Sequence, residues 1–538
     1  MLKKLHILII TTSLIISQDW DYSADIAEIK SLNGKDVKQF KGNVIINRDN
    51  LKLKTNKAIQ YVAENTIHLY GDITMIDDET TITCNKLIYY MDDESCKAQE
   101  SVILRQKNRT IYCDSLNYWD IKDSLKAYGN VKLNHDENKR RLLSNELNFF
   151  RKDSLTQIIE LKKSAEAYNL VQSKTSAESN LMLFENMMKG RLIKAVLKQD
   201  TIKSLNIYGM ATANYHIIKD SLLIGENNVS GDSITIDFKN ELLNRMQVYG
   251  GAIGMFLPEG NNSKIDSTIN YNAEYIDYVI KEDKSILKEK ASVHYKETTI
   301  ESGKIVVDWE TNMLDANKDG DYLPIVSKSG ESPMIGESMR FDLINKKGYI
   351  NKGHTSFNDG FYRGEKIQRQ EPNIMHMHKS IYTSCDKDHP HYYFKSKKMK
   401  MIQGDKIIAK PIILYIADVP IIGFPFAILP NKGGGRRTGW IMPSFGNSES
   451  RGNFMQNLGY YWAPNDYLDL KFLFSLYDLQ GFNLKSYFRY KKRYNFQGSI
   501  NSNLKRDLIV QSDEIADITN ILTDEFRQDW DIHWIHNQ

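Results

Sequence analysis

Leu468-Asp469-Leu470-Lys471-Phe472-Leu473-Phe474-Ser475-Leu476 is the stretch whose reading decides the fold. Leu468, Leu470, Phe472, Phe474 and Leu476 are apolar, and Asp469, Lys471 and Ser475 fall between them. A period of two separates the faces of a β-strand. Two further segments repeat it. Phe482, Leu484 and Phe488 alternate with Asn483, Lys485 and Arg489, then Phe496, Ile500 and Leu504 with Gln497, Ser499, Asn501 and Asn503. An apolar face opposite a wet, charged face, renewed segment after segment, is the pattern of a transmembrane β-barrel. It also fits an antiparallel sheet resting its apolar face on a soluble core, so the upstream chain has to decide.

The 538 residues suffice for roughly two to four domains. Lys and Arg number 71 against 68 Asp and Glu, a net charge of +3, which leaves no electrostatic case for nucleic acid. The 30 tyrosines among 11% aromatic residues suit strands and argue against disorder. Lys3 and Lys4 precede a nearly unbroken apolar run, Leu5 to Ile16, and a polar stretch follows Gln18. This predicts an export signal over residues 1–18, too short to span a membrane. In an exported chain the four cysteines, Cys84, Cys96, Cys113 and Cys385, are able to form bridges, and sequence does not choose among the pairings.

Upstream lies a repeat. Gly42, Gly71, Glu100 and Gly129 each follow the last by 29 residues. Val44, Ile73, Val102 and Val131 keep step, as do Ile46, Met75, Leu104 and Leu133. A fixed period of this length means units that bury their apolar faces only by stacking on neighbours. Within a unit the alternation is strand-like, with Ile67, Leu69, Ile73 and Met75 on one side and His68, Asp72 and Thr74 on the other. The expectation is an elongated β-stack with an apolar interior. Cys84 and Cys113 share a repeat position and read as buried thiols or, alternatively, as a bridge between neighbouring units.

Beyond residue 145 the phase drifts, as if insertions lengthen the hairpins, although Tyr208-Gly209 and Tyr249-Gly250 echo Tyr70-Gly71. His376, His378, Cys385, His389 and His391 form a histidine-rich patch: His376 and His378 would share a strand face, His389-Pro390-His391 sits in a turn, and the spacing matches no metal motif, so the patch reads as solvated loop and not as a metal site. Residues 412–429 are almost wholly apolar, but Asp418, Pro420 and Pro425 exclude a spanning helix and predict an extended buried connector. Gly433, Gly434 and Gly435 follow as a hinge. No nucleophile elbow, phosphate loop or metal-ligand spacing is present in the sequence, so no enzyme, cofactor or metal is expected.

Four motifs then resemble a family. Tyr382-Thr383-Ser384-Cys385, the connector Val419-Pro420-Ile421 with Pro425 and Pro430, Arg436-Arg437-Thr438-Gly439-Trp440-Ile441-Met442-Pro443, and Tyr460-Tyr461-Trp462-Ala463-Pro464-Asn465 are similar, in order and spacing, to those of the LPS-assembly protein (LptD, organic-solvent-tolerance) family. The 29-residue repeats resemble the family's OstA-like β-jellyroll. The resemblance implies an all-β chain: a stacked periplasmic jellyroll over 19–380, a connector over 381–435, and the first strands of an antiparallel transmembrane barrel over 436–538. It implies an outer-membrane translocon of a Gram-negative bacterium that takes lipopolysaccharide from an LptA-like periplasmic bridge. Its further partners would be an LptE-like lipoprotein plug and the barrel-assembly machinery.

Val44, Ile46, Ile73, Met75, Val102, Leu104, Val131 and Leu133 would line the lipid slot. An acyl chain of roughly a dozen carbons costs on the order of 10 kcal/mol in water, at about 0.8 kcal/mol per methylene, and such a slot removes that cost. The resemblance puts Pro443 at a lateral gate, because proline lacks the N–H a strand ladder needs. Where the family often has a second proline this chain has Gly459. Cys385 corresponds to a cysteine that bridges to the far end of the barrel, and the family's barrel would require several hundred further residues. A soluble periplasmic lipid bridge or an adhesin-like β-stack are the competing expectations.

Overall fold

The computed structural model describes residues 20–538 apart from 33, 121, 136–139, 176–179, 200, 241, 261–264, 358–359, 372–373, 403–404, 431–437, 442 and 509–525. The expected signal segment 1–18 and the hinge glycines Gly433, Gly434 and Gly435 lie outside the described residues. The described chain is antiparallel β-structure from end to end, the all-β jellyroll-and-barrel class expected. No helix among the described residues is long and apolar enough to cross a membrane, which says nothing of strands.

From Lys35–Arg48 to Lys284–Tyr295 every strand pairs with the next as a continuous meander. The 29-residue repeat is one hairpin of it: Thr66–Asp77 with Thr80–Tyr90, then Ser95–Gln106 with Arg109–Trp119. The repeated glycines mark mid-strand bulges. Register slips between Lys41 and Val44, Tyr70 and Ile73, and Gln99 and Val102. Gly42, Gly71, Glu100 and Gly129 there have φ of 72°, 77°, 68° and 75°. Glycine takes this left-handed backbone without strain, whereas Glu100 bears the cost of a side chain.

Each bulge adds one unpaired residue and bends its strand. The bend turns both halves of the strand onto one interior: Ile67 and Leu69 before it, Ile73 and Met75 after it, are all buried. Burial of each such side chain stabilises the fold by roughly 1.5–3 kcal/mol. Alanine at Gly129 would bring its β-carbon to 2.2 Å from Asp114 Oδ2. That carboxylate accepts a hydrogen bond from the Asn130 side chain at 3.0 Å, which fixes the bend.

The phase drift past residue 145 has a structural cause. Strands Thr156–Ser173, Met182–Lys198, Thr201–Lys219, Leu222–Lys239 and Leu242–Pro258 are 17 to 19 residues long, against 11 or 12 for those from Thr66 to His135.

The chain divides into two compact units, residues up to 297 with 304–311, and 298–303 with 312–538. In the second, Gly348–Phe357, Gly360–Glu371, Ile374–Thr383, Tyr392–Ile402 and Lys406–Ile416 form a meander. Its buried face is rich in methionine: Met375 pairs with Met401 and Met377 with Met399. Val419–Phe424 and Ala427–Pro430 then both pair back onto Lys406–Ile416.

Here the sequence expectation needs correction. Residues 412–429 are extended but only partly buried. Ile412 and Leu414 are enclosed, while Val419, Ile421, Ile422 and Phe426 are exposed, because the returning hairpin lies at the sheet margin.

A second, separate sheet follows: Gly439–Ile441 and Ser444–Ser448 on Gly452–Asn465, then Leu468–Tyr477, Gly481–Lys492, Phe496–Leu508 and Phe526–Asn537.

Candidate functional site

The C-terminal sheet has its polarity inverted relative to a soluble core. One face carries cross-strand rows of apolar side chains: Trp462, Leu470, Phe488, Ile500 and Trp534 in one, Leu484, Leu504 and Trp530 in another. Phe472 is 43% exposed and Trp534 66%. The opposite face holds Asp469 at 4% exposure. Its carboxylate accepts from Arg489 Nε at 2.9 Å and Nη2 at 3.1 Å, and from the Tyr461 hydroxyl at 3.0 Å. The Lys471 ammonium lies 4.5 Å from the Tyr487 ring centre, and Asn503 donates to Asp531 at 3.1 Å. The apolar rows are uncovered while Asp469 on the opposite face is enclosed and paired, an arrangement that suits a lipid surround.

Pro443 sits where the first strand of this sheet is interrupted. Ile441 pairs with Gly459 and Ser444 with Gln456, so both short strands share one register and the break falls opposite Asn457. Asn457 has φ 61°, and its N–H turns away to the Ser475 hydroxyl at 3.0 Å. Sequence reading missed Asn457 and Ser475, because only the register reveals that a proline and a left-handed residue face each other. Gly459 stays paired on both sides, to Ile441 and Leu473. A β-carbon there would lie 2.2 Å from the Phe472 carbonyl oxygen, so glycine permits a close backbone approach.

The eight expected slot residues, Val44, Ile46, Ile73, Met75, Val102, Leu104, Val131 and Leu133, all face the jellyroll interior and are buried. Where the strands lengthen, that interior opens into a cavity of about 460 Å³. Leu133, Ile159, Ala195 and Leu205 contribute apolar wall, and Lys107 and Arg109 add cations. The Arg109 guanidinium stands 5.2 Å from the Phe149 ring centre. Of the expected residues only Leu133 lines this space. Lys107, Asn108, Arg109 and His135 come from the repeat region as well, and the remaining wall residues come from later strands whose phase the repeat does not predict.

All four cysteines are free. Cys84 and Cys113 lie on strands Thr80–Tyr90 and Arg109–Trp119, with Ser95–Gln106 between them. Two strand spacings, about 9.6 Å, exceed the reach of a disulfide. Burial pushes the Cys84 thiol up to about 11 and Cys113 up to about 12. Cys385 is half-buried, with Sγ 3.8 Å from His391 Nδ1. His376 and His378 lie on strand Ile374–Thr383, opposite Lys400 and Lys398, a cationic neighbourhood that disfavours a metal ion.

These features define a class: an all-β protein with a bent-strand jellyroll stack, followed by a barrel-type sheet that turns its hydrocarbon outward. Both regions have counterparts among known families. Residues 22–123 match the family model described as OstA-like protein, and residues 407–538 match the one described as LptD protein. The LPS-assembly protein LptD of Burkholderia pseudomallei (strain K96243) is 24% identical over 219 residues, covering 40% of this chain and 27% of that protein. Its counterpart in Bordetella pertussis (strain Tohama I) is 30% identical over 119 residues, covering 22% and 15%. The periplasmic lipopolysaccharide-transport component LptH of Pseudomonas aeruginosa is 18% identical in its solved structure, covering 22% of this chain and 73% of that one with a TM-score of 0.18. The matched region spans about a quarter or less of the curated relatives' length. The chain is LptD-like, with an OstA-like region ahead of the LptD-like one.

Proposed function

We propose that the chain belongs to an outer-membrane machine that receives lipopolysaccharide from a periplasmic bridge and passes it to the outer leaflet. In this reading residues 19–380 are a periplasmic conduit, 381–435 a connector, and 436–538 strands of a membrane barrel. The observation that carries it is the inverted polarity of the C-terminal sheet. Trp530, Ile532 and Trp534 would be poorly placed in water, and Asp469 with Arg489 would be poorly placed in lipid.

The jellyroll interior supplies the second half. Its cavity combines apolar wall with Lys107 and Arg109, chemistry that fits an acylated, phosphorylated amphiphile. The interruption at Pro443 opposite Asn457 is a weak point where strands would part to release lipid sideways, because fewer ladder hydrogen bonds hold them. No catalytic group is assigned. An LptA-like bridge, an LptE-like plug and the barrel-assembly machinery remain the partners implied by the family likeness. A soluble lipid bridge is disfavoured by the exposed apolar rows.

A photoreactive residue replacing Leu133 or Ala195 is expected to crosslink lipopolysaccharide in outer membranes, while one at outward-facing Tyr112 is not. No crosslink at either interior position would overturn the conduit.

A further inference from the structure

The second unit carries a row of three lysines and a histidine across four consecutive strands. Lys366 faces His378, His378 faces Lys398, and Lys398 faces Lys410. Alongside it run Gln368, His376, Lys400 and Ile408. Lys366, His378, Lys398 and Lys410 are exposed, while Ile367, Met377, Met399 and Ala409 beside them are buried, so the row lies on the outer face of the sheet. Four strands spaced at about 4.8 Å give an array roughly 14 Å wide, and the second row lies about 7 Å away. A shallow groove of about 290 Å³ runs over it, lined by His376, His378, Lys398, Lys400 and Lys410.

The nearby carboxylates do not neutralise the array. Glu365 pairs with Lys379 at 2.9 Å, and Glu337 with Lys352 at 2.9 Å. Among the described residues no ion pair engages Lys366, Lys398, Lys400 or Lys410. Lys366 instead lies 4.5 Å from the Tyr349 ring centre. Like charges directly opposite one another destabilise a sheet, and an external layer of anions would relieve that repulsion. A flat, two-row array with no enclosing wall suits a surface of many phosphates better than one captured phosphate.

The strand that carries Lys410 also pairs with Ala427–Pro430, and Gly439 of the barrel-type sheet follows nine residues after Pro430. The chain between them reaches at most roughly 30 Å. Exposed Ile421, Ile422 and Phe426 between Lys410 and Pro430 add apolar contact of the kind interfacial segments use.

We propose that this lysine–histidine array docks on the surface of a bilayer containing anionic phospholipid and takes the headgroup phosphates. It rests on the reading that the C-terminal sheet lies in a membrane. The test places the whole chain in lipid nanodiscs of phosphatidylcholine alone or mixed with phosphatidylglycerol. A water-soluble amine-acylating reagent then reads each lysine by mass spectrometry, with exposed Lys152 of the first unit as reference.

Lys366, Lys398, Lys400 and Lys410 are expected to react about 5-fold more slowly in the anionic discs than in the neutral ones. High salt should abolish the difference, and the triple variant K366Q/K398Q/K410Q should lose it at Lys400. Equal rates in both discs would overturn the proposal, as would equal protection by inorganic phosphate in detergent, which indicates a site for a soluble anion. A chain that enters neither disc would instead overturn the membrane reading beneath it, an outcome read separately by flotation.

Discussion

Replacing Phe472 by lysine distinguishes a lipid-facing sheet from a water-facing one by the size of the effect. Phe472 lies mid-strand in Leu468–Tyr477, between Tyr460 and Ser486 on the neighbouring strands, with 43% of its surface uncovered. If water covers that face, exchanging an exposed aromatic for lysine changes stability by about 0.5 kcal/mol or less. If hydrocarbon covers it, a lysine near the bilayer midplane costs about 2–4 kcal/mol, a roughly 30- to 700-fold loss in the folding equilibrium. The control is Asn501→Lys on the opposite face, in the cross-strand row of Lys471 and Tyr487. That row already holds a cation, so the control should stay within about 1 kcal/mol of the parent. The assay is a urea titration of the 538-residue chain folded in phosphatidylcholine vesicles, followed by tryptophan emission. An unchanged Phe472→Lys midpoint, with a damaged Asn501→Lys, would mean that the faces are assigned the wrong way round.

Two further outcomes follow from groups outside this sheet. Burial, then repulsion from Asp120, Asp78 and Glu94, pushes the Asp77 carboxyl up to about 6. A carboxyl raised on folding favours the native state when protonated, and that contribution is lost as pH rises from about 4 through 6. Asp77→Asn should therefore raise the melting temperature at pH 8, raise it by about half as much at pH 5, and leave it nearly unchanged at pH 3. Because the group is only half-buried, about 1 kcal/mol is the expected scale. The buried thiols of Cys84, Cys96 and Cys113 should resist alkylation by iodoacetamide until the chain unfolds, while half-buried Cys385 reacts in the native protein. Mass spectrometry of the labelled peptides checks both halves, and fast labelling of Cys96 would contradict the packing.

What could be read from sequence was whatever repeats. Gly42, Gly71 and Gly129 announce a unit 29 residues long, and the interior positions Ile73, Val102 and Val131 follow from it because each hairpin stacks in the same phase. What could not be read depends on register between distant segments. Pro443 is visible as a missing donor, but its partner Asn457 emerges only once Ile441 is set against Gly459. Lys366, His378, Lys398 and Lys410 have no common period along the chain, and pairing alone brings them into one row. The cavity was hidden for a similar reason. It forms where strands of 11 or 12 residues give way to strands of 17 to 19, so its wall positions no longer recur at the 29-residue spacing.

The exposed connector shows why apolar pattern alone does not separate buried from lipid-facing. Alternation states that two faces differ and leaves open which one is enclosed. In the jellyroll the enclosed face is greasy: Leu69, Leu104 and Leu116 are sealed, and Lys97 and Lys126 point to solvent. In the C-terminal sheet the sense reverses, with Asp469 enclosed and Trp534 uncovered. The deciding signal is the company each charge keeps. A carboxylate as buried as Asp469 requires a cation and a hydroxyl within hydrogen-bond reach, and Arg489 and Tyr461 supply them from the two flanking strands. Three polar groups converging on one face mark it as the enclosed one, and the opposite face, Phe472 included, is left uncovered.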